Sequence, residues 1–93
     1  MVVGVIAWEL EIFAAQSLKE KRSVVKSLKD RLHERFNVSV AETAHQDKWQ
    51  KAELTAAVVS GERRHADSVL QSLDSFVAGD PRARIIDSYR TFF

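Results

Sequence analysis

The sequence predicts an α+β sandwich: one antiparallel sheet with two helices on a single face. Three observations carry this. Apolar residues alternate with polar ones in four separate stretches, two amphipathic helical stretches lie between them, and the order strand, helix, strand, strand, helix, strand uses the whole chain.

Residues 2 to 13 alternate, with Val2, Ile6, Trp8, Leu10 and Ile12 on one side and Val3, Val5, Ala7, Glu9 and Glu11 on the other. That is the pattern of a half-buried strand. Gly4 leaves a gap in the apolar row, where a bend or the close approach of a helix is expected. Ser17 and Glu20 have the spacing of a capping box, in which the Ser hydroxyl accepts from the N–H of Glu20 and the carboxylate reaches back to the N–H of Ser17. The helix that follows, 18 to 36, gathers Leu18, Val25, Leu28, Leu32 and Phe36 on one face with Val24 at its margin. Asn37, one of the few residues that tolerates the left-handed conformation, is expected to end it.

Residues 38 to 43 form a short strand, 44 to 51 a polar connection, and 52 to 60 a third strand punctuated by Ser60 and Gly61. From 62 to 78 the apolar residues Ala66, Val69, Leu70, Leu73, Phe76 and Val77 repeat at helical spacing, and Gly79-Asp80-Pro81 stops the run. Residues 83 to 93, rich in β-branched and aromatic side chains, close the chain as the last strand. Right-handed crossovers then give a ferredoxin-like split βαβ fold with strand order 4-1-3-2.

The 93 residues make one domain, and a chain this short draws its core from nearly every element. Without cysteine there is no disulfide framework, thiolate metal site, Fe–S cluster or cysteine nucleophile. Charge interrupts every apolar run, and no basic n-region precedes the first, so neither a membrane span nor a signal peptide is expected and the location implied is the cytoplasm.

Formal charge is only +1 but is unevenly spread. The first helix carries seven Lys and Arg against three carboxylates, a net of +4 that leaves −3 for the rest of the chain. Five of its residues, Lys19, Arg22, Lys26, Lys29 and His33, fall within about 80° of one another beside the apolar face. This ridge is either a solvated helix flank partly neutralised by Asp30 and Glu34 or a track for phosphates. The polar connection adds Gln46 and Trp49, an amide to read a base edge and an indole to stack on a base, unless the indole folds back over the open end of the core or covers a partner subunit.

Other chemistry finds little support. His33, His45 and His65 lie on different elements without metal-ligand spacing, and a triad of Ser39, His45 and Asp47 lacks a nucleophile elbow. The first and third strands offer no aromatic residues to their outer face, which disfavours stacking of the RNA-recognition-motif kind. That face instead presents Val3, Val5, Ala7, Ala57 and Val59, with Phe92 and Phe93 beyond, an apolar patch of the sort that meets another chain, so a homo-oligomer, in its simplest form a two-fold homodimer, is expected.

Four stretches carry a family resemblance: SLKEKRSVVKSLKDRL from Ser17, RFNVSVAE from Arg35, QDKWQKA from Gln46 and AVVS from Ala57. In order and spacing they resemble the YlxP-like family of small bacterial proteins, over roughly four-fifths of the chain; the final segment, ending Tyr89-Arg-Thr-Phe-Phe, is the least family-like. The resemblance implies a ferredoxin-like fold and a cytosolic bacterial protein whose relatives are often encoded among translation and ribosome-maturation genes, and it supplies no catalytic residues. The combined reading is a non-enzymatic module without a cofactor, associated with RNA or ribosomal particles through the ridge and the Trp49 loop. The alternative is a structural or regulatory homo-oligomer that uses the apolar sheet face.

Overall fold

A computed structural model describes residues 1–93. The elements follow the expected order: β1 (Val2–Glu11), α1 (Leu18–Arg35), β2 (Ser39–Ala44), β3 (Lys51–Ser60), α2 (Arg63–Ala78) and β4 (Arg84–Phe92). They form one antiparallel sheet ordered β2-β3-β1-β4, the predicted 4-1-3-2 arrangement seen from the other edge.

The core lies between the sheet and the helices. Ile6, Trp8 and Leu10 of β1 and Ala52, Leu54, Ala56 and Val58 of β3 meet Val25, Leu28 and Leu32 of α1 and Ala66, Leu70, Leu73 and Val77 of α2. Burying each large aliphatic side chain contributes about 1.5–3 kcal/mol. Trp8, fully buried, satisfies its indole N–H by donating to Asp74 Oδ1 at 2.9 Å. At Gly4 α2 does come close: a Cβ there would stand 3.3 Å from Ala66 Cβ and 3.4 Å from both Leu70 Cδ1 and Phe92 Cε1.

Local details differ from the sequence reading in two places. The Ser17 hydroxyl accepts from the N–H of Glu20 at 3.1 Å, but the Glu20 carboxylate accepts from Gln16, one residue before the expected Ser17. The first helix ends without a left-handed residue, because Phe36 turns extended (φ −132°, ψ 146°) and sets its ring edge-on to Phe76 at 5.9 Å. This aromatic contact with α2 redirects the chain, and Asn37 has no positive φ. The single non-glycine residue in the left-handed region is His45 (φ 64°), in the β2–β3 connection.

Both edge strands carry a register shift, at Glu42/Ala44 in β2 and opposite Glu9/Leu10 in β4. Reciprocal hydrogen bonds between Val3 and Phe93, 3.0 and 2.9 Å, extend the pairing of β1 with β4 to the last residue.

Candidate nucleic-acid interface

Helix α1 lies along edge strand β2, and the flank beside its buried stripe opens into a groove of about 510 Å³. Arg22, Lys26, Lys29 and His33 project from the helix into this groove at successive steps of three or four residues, about 5–6 Å apart. Val25 and Val40 contribute apolar surface to it, Glu42 lines the β2 side, and Gln46 stands where β2 runs into the connection. Four of the five predicted ridge residues and Gln46 are therefore brought together. Lys19 is exposed in the first turn of α1, outside the groove.

Two carboxylates share the groove with these cations, and both are paired. Asp30 accepts from Lys26 Nζ at 2.7 Å, one helical turn away. That hydrogen bond, with the attraction between the charges, raises the Lys26 pKa above its ordinary value; the same bond is the main cause that lowers Asp30. Glu42 accepts from Lys21 Nζ at 2.6 Å. Arg22 and Lys29 make no ion pair within the chain and remain the groove's unpartnered strong cations.

Lys21 is the functional-site residue the sequence reading passed over. Its side chain is fully buried, and its ammonium also donates to the carbonyl of His45 at 2.7 Å. The His45 imidazole in turn lies 2.6 Å from Glu9 Oε1 on the outer face of the sheet. One buried lysine thus ties α1 to β2 and fixes the left-handed residue from which the Gln46–Trp49 loop departs. A signal was present: on a helical projection Lys21 falls inside the arc of Leu18, Val25, Leu28 and Leu32, where a cation needs a buried partner.

Trp49 does not fold back. It is 55% exposed, and its indole N–H, unlike that of Trp8, has no acceptor in the chain. The loop is instead held by backbone and amide contacts: Ile12 N–H donates to the carbonyl of Gln50 at 2.8 Å, and Gln50 Nε2 to that of Ala15 at 3.0 Å.

The outer sheet face is less open than the strand pattern implies. Val3, Val5 and Ala57 are half-buried, and only Val59 among the five strand residues is largely exposed, at 69%. Two predicted interface residues withdraw from the outer face. Ala7, flanked by Thr55 and Tyr89 on neighbouring strands, is 2% exposed, and Phe92 turns toward the helices, with the Arg63 guanidinium 4.2 Å over its ring. Phe93, opposite Val3, remains exposed, and Tyr89 joins the face from β4. Next to Ala7 the register lines up Glu53, Glu9 and Asp87 across three strands, eased by His45 on Glu9 and Thr43 on Glu53.

At the other end of α1, Asp80 is buried and accepts from Arg82 through its side chain at 2.8 and 3.1 Å and through its backbone N–H at 2.8 Å. These bonds hold the Asp80 pKa below its ordinary value and raise that of Arg82. No cluster of three His, Asp or Glu side chains is arranged to hold a metal ion, and no helix is long and apolar enough to cross a membrane.

Comparisons with known proteins agree with this architecture. Over 99% of the chain the fold is similar to a de novo designed protein with ferredoxin fold solved by solution NMR, with a TM-score of 0.50, 19% identity and 84% of that protein covered. The sequence is 38% identical over 80 residues to the uncharacterized protein YlxP of Bacillus subtilis (strain 168), covering 86% of this chain and 87% of that one. The profile of the family described as "Protein of unknown function (DUF503)" matches residues 3–90, from the first strand to within three residues of the end, so the groove and its loop lie wholly inside the match. The chain therefore belongs to the DUF503 family.

Proposed function

We propose that this protein is a cytoplasmic, non-enzymatic RNA-binding module that takes RNA phosphates, free or on ribosomal particles, along the α1–β2 groove. The observation that carries the reading is the row Arg22, Lys26, Lys29 and His33 in a groove whose two carboxylates are already paired with lysines. Anionic ligand then meets uncompensated positive charge, although the remainder of the chain is net acidic.

The test is a titration of labelled RNA between about 50 and 200 mM salt. Two to four phosphate contacts give a slope of log K against log salt of about −1.5 to −3. Reversing Arg22 and Lys29 to Glu abolishes binding while far-UV circular dichroism stays unchanged. Binding absent from the wild-type protein at about 50 mM salt overturns the proposal.

The outer sheet face supports a second reading, a homo-oligomer without a nucleic-acid role, through its exposed Val59, Tyr89 and Phe93 at 69%, 63% and 77%. Light scattering distinguishes it. A dimer mass at tens of micromolar that Val59→Lys reduces to a monomer supports the oligomer, and a monomer throughout removes it.

A further inference from the structure

Resting on the RNA-binding reading above, we infer that the groove's ligand is single-stranded RNA, with one base leaving the groove to stack on Trp49. Two independent features lead there. The first is the shape of the phosphate site. Its cations line a concave channel between a helix and a sheet edge, over Val25 and Val40. From Arg22 to His33 the row extends for about 16 Å along the helix, the reach of a few nucleotides of a single strand.

The second feature is the indole. Trp49 is three residues beyond Gln46, which lines the groove, on the loop that the buried Lys21 fixes through the carbonyl of His45. The residue is 55% exposed and its N–H unpaired, on a loop tied down on both sides. Within a duplex the bases stay paired and stacked and offer such a ring only the terminal pair, whereas an unpaired, weakly stacked segment such as oligouridine presents each base at little cost. The exposed amide of Gln46, whose Nε2 donates only a long 3.3 Å bond to the carbonyl of Glu42, lines the groove three residues before Trp49 on the same loop.

The experiment compares an oligouridine of about eight nucleotides with a blunt RNA duplex of the same length, both at about 50 mM salt, by fluorescence polarisation. The single strand binds at least tenfold more tightly than the duplex. Trp49→Ala weakens the single strand about 5- to 150-fold with an unchanged salt slope, because stacking releases no counterions, and Trp49→Phe restores most of the affinity. Equal affinity for strand and duplex, or a Trp49→Ala protein that binds like wild type, overturns this inference and leaves phosphate binding standing. Failure to bind either oligonucleotide overturns both. Trp49 makes no side-chain hydrogen bond and is absent from the core, so the variants fold and each result speaks to the ligand.

Discussion

Replacing Lys21 with Met removes the ammonium from between Glu42 Oε2 and the carbonyl of His45 and leaves a carboxylate that is 15% exposed without its counter-charge. The expected cost is about 2–4 kcal/mol, read as a fall in urea midpoint. Lys21→Met combined with Glu42→Gln recovers part of it, since no stranded charge remains; an equal loss in both variants would show that only packing was at stake. Asp80 makes a different prediction. Its carboxyl titrates below the ordinary 3.8 in the folded protein, so below that value the unfolded chain binds the proton more readily and stability rises with pH. The contribution is complete above the unfolded value and is lost as pH falls through the lower, folded one. Asp80→Asn flattens that part of the acid-denaturation curve, and a curve that keeps its slope would mean the Arg82 pair does not set it. Neither residue was read from the sequence as a structural anchor. Lys21 was counted among the charges of its helix, although its angular position was legible. For Asp80, the partner Arg82, two residues on, is local, but Arg31 on α1 and the burial of the carboxyl come only from tertiary packing.

Helix α1 has two flanks with opposite demands, and substitutions separate them. Leu28, fully buried at the middle of the stripe, loses about 2–5 kcal/mol when cut to Ala, through lost burial and the cavity left behind. Lys26→Ala leaves the denaturation midpoint nearly where it was, because its pair with Asp30 stands in water. Similar shifts for the two would place the helical phase wrongly. On β1, Gly4→Val forces three carbon atoms into a space already bounded by Ala66, Leu70 and Phe92, and the expected loss is about 1–3 kcal/mol. At this scale the sequence was most informative. Periodicity gave each element within a few residues, and the missing side chain at Gly4 pointed to a bend or an approaching helix, of which the structure has the helix. The helix ends were less legible. Phe36 leaves α1 because its ring finds Phe76, and a partner forty residues away has no local signature.

For the molecule as a whole, the order of elements was enough to give the sheet, and the ridge was legible because helical spacing alone places Arg22, Lys26, Lys29 and His33 on one flank. That the flank faces a groove required the pairing of β2 with β3, which puts Val40 and Glu42 opposite the helix. The outer face was harder to read, since alternation says which side a residue takes but not what its neighbours cover. Ala7 disappears between Thr55 and Tyr89 on adjoining strands, and the register shift in β4 decides which residues reach the surface below Asp87. The prediction at this scale is that charge and stacking are separable: the double Glu variant of Arg22 and Lys29 loses affinity at all RNA sequences, whereas Trp49→Ala loses it without altering the dependence on salt.

The central position of β1 has a kinetic consequence. Every partner it has lies far along the chain, from Lys51 opposite Glu11 to Phe93 opposite Val3, and none is joined to it by a tight turn. The two helices and the β2–β3 hairpin can form from nearby contacts, while β1 must wait for long loops to close. Folding on the leisurely side for a chain of this size follows. During the wait the apolar row from Ala52 to Val58 has β2 on one edge and bare peptide groups on the other, so the docking of β1, rather than the winding of either helix, sets how long the unfinished protein is open to pairing with its own kind.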